Sequence, residues 1–155
     1  MTAKLIKAAL LGGLIGGAID IAYAMIVSNL STGMAPDMLL RVVAGGVLGR
    51  EQIAAGGLPE AALGGVLHFA ICIVMAAVFC LVSLAVPALR RYWYVTGPVY
   101  GVGLYVVMNY VVLPLSALAV KSHPEGLRMV GELASHMLGV GLSISAAARW
   151  VIGRG

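Results

Sequence analysis

The sequence predicts an all-α, polytopic membrane protein: a four-transmembrane-helix bundle with one short interfacial or re-entrant helix, forming a single transmembrane domain over 1–155. Three observations carry this prediction. Hydrophobic residues make up 61% of the 155 and charged residues 10%, with mean hydropathy +1.03, whereas a soluble domain carries about 45–50% apolar and about 25% charged residues. Four stretches reach the roughly 20 apolar residues that cross a bilayer. The few charges gather at the flanks of those stretches. So few charges cannot cover a water-facing surface, which excludes a soluble enzyme, a disordered chain, a disulfide scaffold and a nucleic-acid binder. The lipid bilayer is the first partner the composition implies.

The first span is read over 5–28, behind Lys4 and Lys7. A cleavable signal peptide is the rival reading, because Ala22-Tyr23-Ala24 resembles a small-x-small cleavage site. Asp20 beside that site argues for a retained span. Residues 36–48 then place Met38, Leu39, Leu40, Val42, Val43, Val47 and Leu48 among Asp37 and Arg41 at helical spacing. Pro36 with Asp37 can open a helix there, and Gly45-Gly46 and Gly49 can end it. The segment is too short to cross, so it is expected on the outer interface or dipping back between helices, where protein must cover its backbone. Gly56-Gly57 and Pro59 turn the chain into the second span, 61–87, with Cys72 and Cys80 acting as small hydrophobes. The third span is read over 98–120 and the fourth over 129–152.

Charge decides orientation. With four spans, one side holds both ends and the 88–97 loop, carrying Lys4, Lys7, Arg90, Arg91, Arg149 and Arg154 and no acid. The other side sets Arg41, Arg50, Lys121 and Arg128 against Asp37, Glu51, Glu60 and Glu125. Short cytoplasmic loops are enriched in Lys and Arg, so both termini are predicted cytoplasmic in a bacterial inner membrane. Tyr92, Trp93, Tyr94 and Trp150 fall at the same interface, where amphipathic rings are favoured.

Small residues at four-residue spacing mark helix contact faces in lipid. Gly12/Gly16, Gly13/Gly17, Gly45/Gly49 and Gly97/Gly101 fit, and Ser135, Gly139, Ser143 and Ala146 give the last span a stripe. Twenty-one glycines exceed what a four-helix chain is expected to bury internally, which predicts a homo-oligomer or docking onto a larger membrane complex. Pro114 lacks the N–H a helix needs and predicts a kink, with a polar pocket beside Asn109 as its functional form.

Ionisable groups inside a bilayer cost on the order of 2.5 to 3.5 kcal/mol and need a partner or a purpose. The candidates are Asp20, His68 and His136, with Asn109 as a neutral companion and Glu132 one turn outward of His136. Asp20, His68 and His136 each lie eight residues from their outer boundary, roughly 12 Å deep on three different helices. Imidazole and carboxylate suit a transition metal, so Asp20, His68, Glu132 and His136 are candidate ligands. The same set can pass protons, and His68 with His136 can bracket a b-type haem. No cofactor follows uniquely. A purely structural lock between helices competes with all three. His123, before Pro124, reads as a solvated loop residue. The chain has no nucleophile elbow, Walker loop, CxxC or HExxH, so no enzyme is expected.

From His68 onward, the residues His68, Pro87, Gly97, Gly101, Pro114-Leu115, Gly131-Glu132, His136 and Gly139 make the chain resemble the YagU-like family of small bacterial inner-membrane proteins. The resemblance covers a little over half the chain and implies a four-helix inner-membrane protein without an assigned reaction, loosely linked to acid resistance. It supplies no catalytic residues.

Overall fold

The structure is a computed structural model, and it describes residues 2–120 and 124–153. Lys121, His123 and Arg154, all named above, lie outside the described residues. Among the described residues every regular element is helical. Helix α1 spans Thr2–Thr32 and ends where Gly33 turns to φ +71° and donates its N–H to the Asn29 carbonyl, the left-handed stop that glycine adopts without strain. Pro36 then opens α2 (Pro36–Leu48), the stretch for which a short helix is expected. Gly49 at φ +86° separates α2 from α3 (Arg50–Ala55).

Helix α4 (Leu58–Ala85) begins with Glu60 reaching back to the Gly57 N–H at 2.6 Å. The short α5 (Ala88–Arg91) follows Pro87. Helix α6 (Trp93–Val107) runs into a π segment (Met108–Val112) and α7 (Leu113–Leu115). A last continuous helical run comprises α8 (Gly126–Ala134), a second π segment (Ser135–Gly141) and α9 (Leu142–Val151).

Among the described residues three helices are long and apolar enough to cross a membrane: Thr2–Thr32, Leu58–Ala85 and Trp93–Leu115. The run over 126–151 is as long but less apolar, because it carries Glu132, Ser135, His136, Ser143 and Ser145. Its position explains that polarity: it packs between α1 and α6. It buries Ile144–Ala148 almost continuously. The third long helix corrects the expected range of 98–120. Pro98 does not start it but sits within its second turn. Ser116 becomes extended and ends it, and the Ala117 N–H goes to the Gly46 carbonyl of α2.

Leu5 and Ala8 pack with Phe79, Cys80, Ala148 and Ile152, so both chain ends meet at one pole of the bundle. This terminal pole holds α5 and the aromatic group, with Trp93 and Trp150 at 6.0 Å. Arg90, counted above among the flanking charges, is 6% exposed. Its Nη1 donates to the Ser83 carbonyl at 2.7 Å and its Nε to the Gly153 carbonyl at 3.1 Å. A cation at the carbonyl ends of α4 and α9 satisfies groups that those helices leave unpaired.

The glycine faces find their partners within the chain. On α1, Gly12 and Gly16 lie against Ile144 and Val140, whereas Gly13 and Gly17 lie against Ile73 and the Phe69–Cys72 turn of α4. Gly97 and Gly101 meet the backbone of Gly141, His136 and Met137. Gly49 is a turn residue, so the Gly45/Gly49 pair forms no contact face. The internal pairing removes the glycine count as a ground for expecting an oligomer.

Candidate functional site

Toward the opposite pole, α4 and the run of α6 into its π segment face a common space. They are joined lower down by Tyr100, whose hydroxyl donates to the Met75 carbonyl at 2.8 Å while its ring packs on Phe79 at 5.0 Å. Above that contact a cavity of about 420 Å³ opens. Helix α2 covers it, held down because Gly64 of α4 admits the Leu40 carbonyl in direct contact. A second cavity of about 190 Å³ lies between α1, α2 and α8. Asp20, Arg128 and His136 line both, so they stand at the partition.

The partition has definite bonding. Ser135 Oγ donates to Asp20 Oδ1 at 2.9 Å, joining α1 to the last helical run. His136 Nδ1 donates to the Glu132 carbonyl at 2.9 Å and lies 3.7 Å from Asp20 Oδ1. The Tyr105 ring meets the His136 imidazole edge-on at 5.7 Å. Both side chains of the Asp20–His136 pair are largely buried, at 20% and 16% exposure.

The other candidates are placed differently. His68 Nε2 donates to the Gly17 carbonyl at 2.9 Å, three residues before Asp20 in α1, and Cys72 Sγ lies 3.8 Å from it. His68 shares the larger cavity with Asp20 and His136 without bonding to either. Glu132 turns to Arg128, with Oε1 at 3.0 Å from Nε. Asn109 is buried and donates to the Tyr105 carbonyl one turn back, so it belongs to its own helix rather than to a polar pocket.

These placements bear on the metal and haem readings. Among the described residues no three His, Cys, Asp or Glu side chains come together as metal ligands. Asp20, His68, Glu132 and His136 are drawn to three separate sets of partners. A b-type haem between the two histidines fits poorly as well, because His68 commits Nε2 to a main-chain carbonyl.

Sequence reasoning missed two features. Both π segments line the larger cavity, the first through Met108 and Val112, the second through His136 and Val140. A π turn widens the helix and often accompanies a functional site. The first comes just before Pro114, where a kink is expected; the second has only Gly139 and Gly141 as its signal. It also shifts the stripe on the last run, so Ser145 rather than Ser143 is fully buried and donates to the Trp93 carbonyl at 2.9 Å. The second feature is Ser135 as the partner of Asp20. Comparison with protein-family models, curated proteins and solved structures finds no match to the chain, and the YagU-like resemblance gains no support from them.

Proposed function

We propose that this chain is a four-span inner-membrane protein that handles protons or a small cation through Asp20 and His136, and that it is not an enzyme. The membrane placement draws support from three long apolar helices and from a fourth run of matching length. Basic residues and aromatic rings at the terminal pole support cytoplasmic termini. Helix α2 would then close the outer end.

The observation that carries the function is the partition itself. Asp20 and His136, with Arg128, separate two cavities, and an acid beside an imidazole at 3.7 Å is suited to exchanging a proton between them. The π turn around His136 is of the kind that often accompanies a functional site. A packing lock needs only the Ser135 bond to Asp20. It does not need open space on both sides.

The test is proton flux in liposomes carrying a pH-sensitive dye. Asp20→Asn keeps an acceptor for Ser135 while removing the charge, and is expected to abolish flux with the fold intact. His136→Gln should do the same. If both variants conduct like the parent but melt at lower temperature, the pair is a structural lock, and an accessory role within a larger membrane complex becomes the better reading.

A further inference from the structure

The larger cavity has walls that proton handling leaves unused. Val43 of α2, Ile71 and Met75 of α4, Met108 and Val112 of the first π segment and Leu118 surround it with apolar side chains. Among the described residues its polar groups are those of Asp20, His68, Cys72, Arg128, His136 and Ser116.

The bonding of those groups defines what they can still accept. Each imidazole already donates one N–H to a main-chain carbonyl, His68 to Gly17 and His136 to Glu132. A neutral ring so fixed has only an acceptor nitrogen left. Asp20 accepts a hydrogen bond from Ser135 through Oδ1, and a carboxylate offers only further acceptor positions. The Arg128 charge is engaged by Glu132. The cavity thus combines apolar walls with a cluster of acceptors around one carboxylate. A ligand that matches both needs an apolar body and a head that donates hydrogen bonds and carries positive charge.

We propose that the cavity binds lipophilic primary amines in their ammonium form, with the head on Asp20 and the chain between α4 and the first π segment beneath α2. An anionic head would meet the Asp20 carboxylate, and a hydroxyl would bring one donor and no charge. This assignment rests on the membrane placement and the Asp20 site of the preceding reading, and names a ligand class for that site.

The experiment uses the full chain in nanodiscs of zwitterionic lipid at neutral pH, with octylamine, octanol and octanoate as probes of equal chain length. A ligand that binds only the folded state raises the melting temperature with saturation. Octylamine is expected to do so and octanoate is not. Asp20→Asn should weaken the apparent affinity by about tenfold or more, the effect of losing one charge-assisted contact. Ile71→Trp, which fills the cavity from α4, should abolish saturable stabilisation. Val112→Phe fills it from the opposite wall and serves if the first variant does not fold. Equal stabilisation by octanoate, or stabilisation indifferent to Asp20 and to both filling variants, overturns the proposal. Lost flux in Asp20→Asn without any octylamine effect removes this inference and leaves the proton reading standing. A saturable, Asp20-dependent octylamine effect without flux does the reverse.

Discussion

The two poles of the bundle are built on opposite packing principles. At the terminal pole, Gly97, Gly101 and Gly141 bring α6 and the last helical run into direct backbone contact. Ala8, Ala76, Cys80 and Ala148 fill the remaining space with small side chains. At the loop pole both helices carry π turns, and long apolar side chains of α2, α4 and the first π segment surround a cavity that Asp20, Arg128 and His136 divide from a second one. In lipid there is no hydrophobic drive between helices, so close van der Waals contact and hydrogen bonds hold them together. The difference teaches that the glycines, one of which packs directly on the His136 backbone, help define the space in which the polar pair sits.

The comparison is broken most severely by adding side chains at the closed pole. Gly141→Val would drive a branched side chain into the Gly97 carbonyl and the Gly101 backbone, where neither neighbour can rotate away. Overpacking ordinarily costs about 1–3 kcal/mol, and backbone against backbone lies at the top of that range or beyond. Loss of folded protein from detergent extracts, read by size-exclusion chromatography, is the expected outcome. A folded Gly141→Val variant would show that the contact is not what closes this pole.

Arg90→Met comes next. It leaves the buried Ser83 and Gly153 carbonyls without their charged donor, an effect of about 3 kcal/mol for bonds of this kind. The melting temperature in nanodiscs should fall clearly, and proton flux per folded molecule should stay unchanged, because Arg90 is at the opposite pole from the cavities. A change in flux without a change in stability would contradict the separation of the two poles.

Ser135→Ala tests the open pole. It removes the donor to Asp20 Oδ1 and is expected to cost about 1 kcal/mol, less than Arg90→Met, while altering flux more. The smallest effect belongs to Gly103→Ala and Gly65→Ala, where an added Cβ meets nothing within 4 Å. Both should stabilise the protein by about 0.5–1 kcal/mol through helix propensity alone. Destabilisation at either position would reveal a contact beyond the chain itself.

Much of this architecture was legible in the sequence, for a definite reason. Apolar length, glycine spacing and the flanking charges are local or periodic properties, and they mark the helices, the short segment at 36–48 and the contact faces Gly12/Gly16, Gly13/Gly17 and Gly97/Gly101. The burial of Asp20, His68 and His136 was readable too, because each sits inside an apolar run. Helix ends were less so. Pro98 reads as a helix start, whereas the helix begins at Trp93 and carries the proline within its second turn.

By itself, then, the sequence determined that the chain is helical, which stretches are apolar enough to cross a membrane and which small residues allow close approach. Only the tertiary structure decided who meets whom. Asp20 bonds to Ser135 and lies near His136, while His68 turns to the Gly17 carbonyl. Arg90 folds inward onto two helix ends, and α2 roofs the cavity through Gly64. Periodicity fixes the face on which a residue lies. The π turn at Ser135–Gly141 rotates one face against another, and that rotation depends on how three helices settle against each other at once.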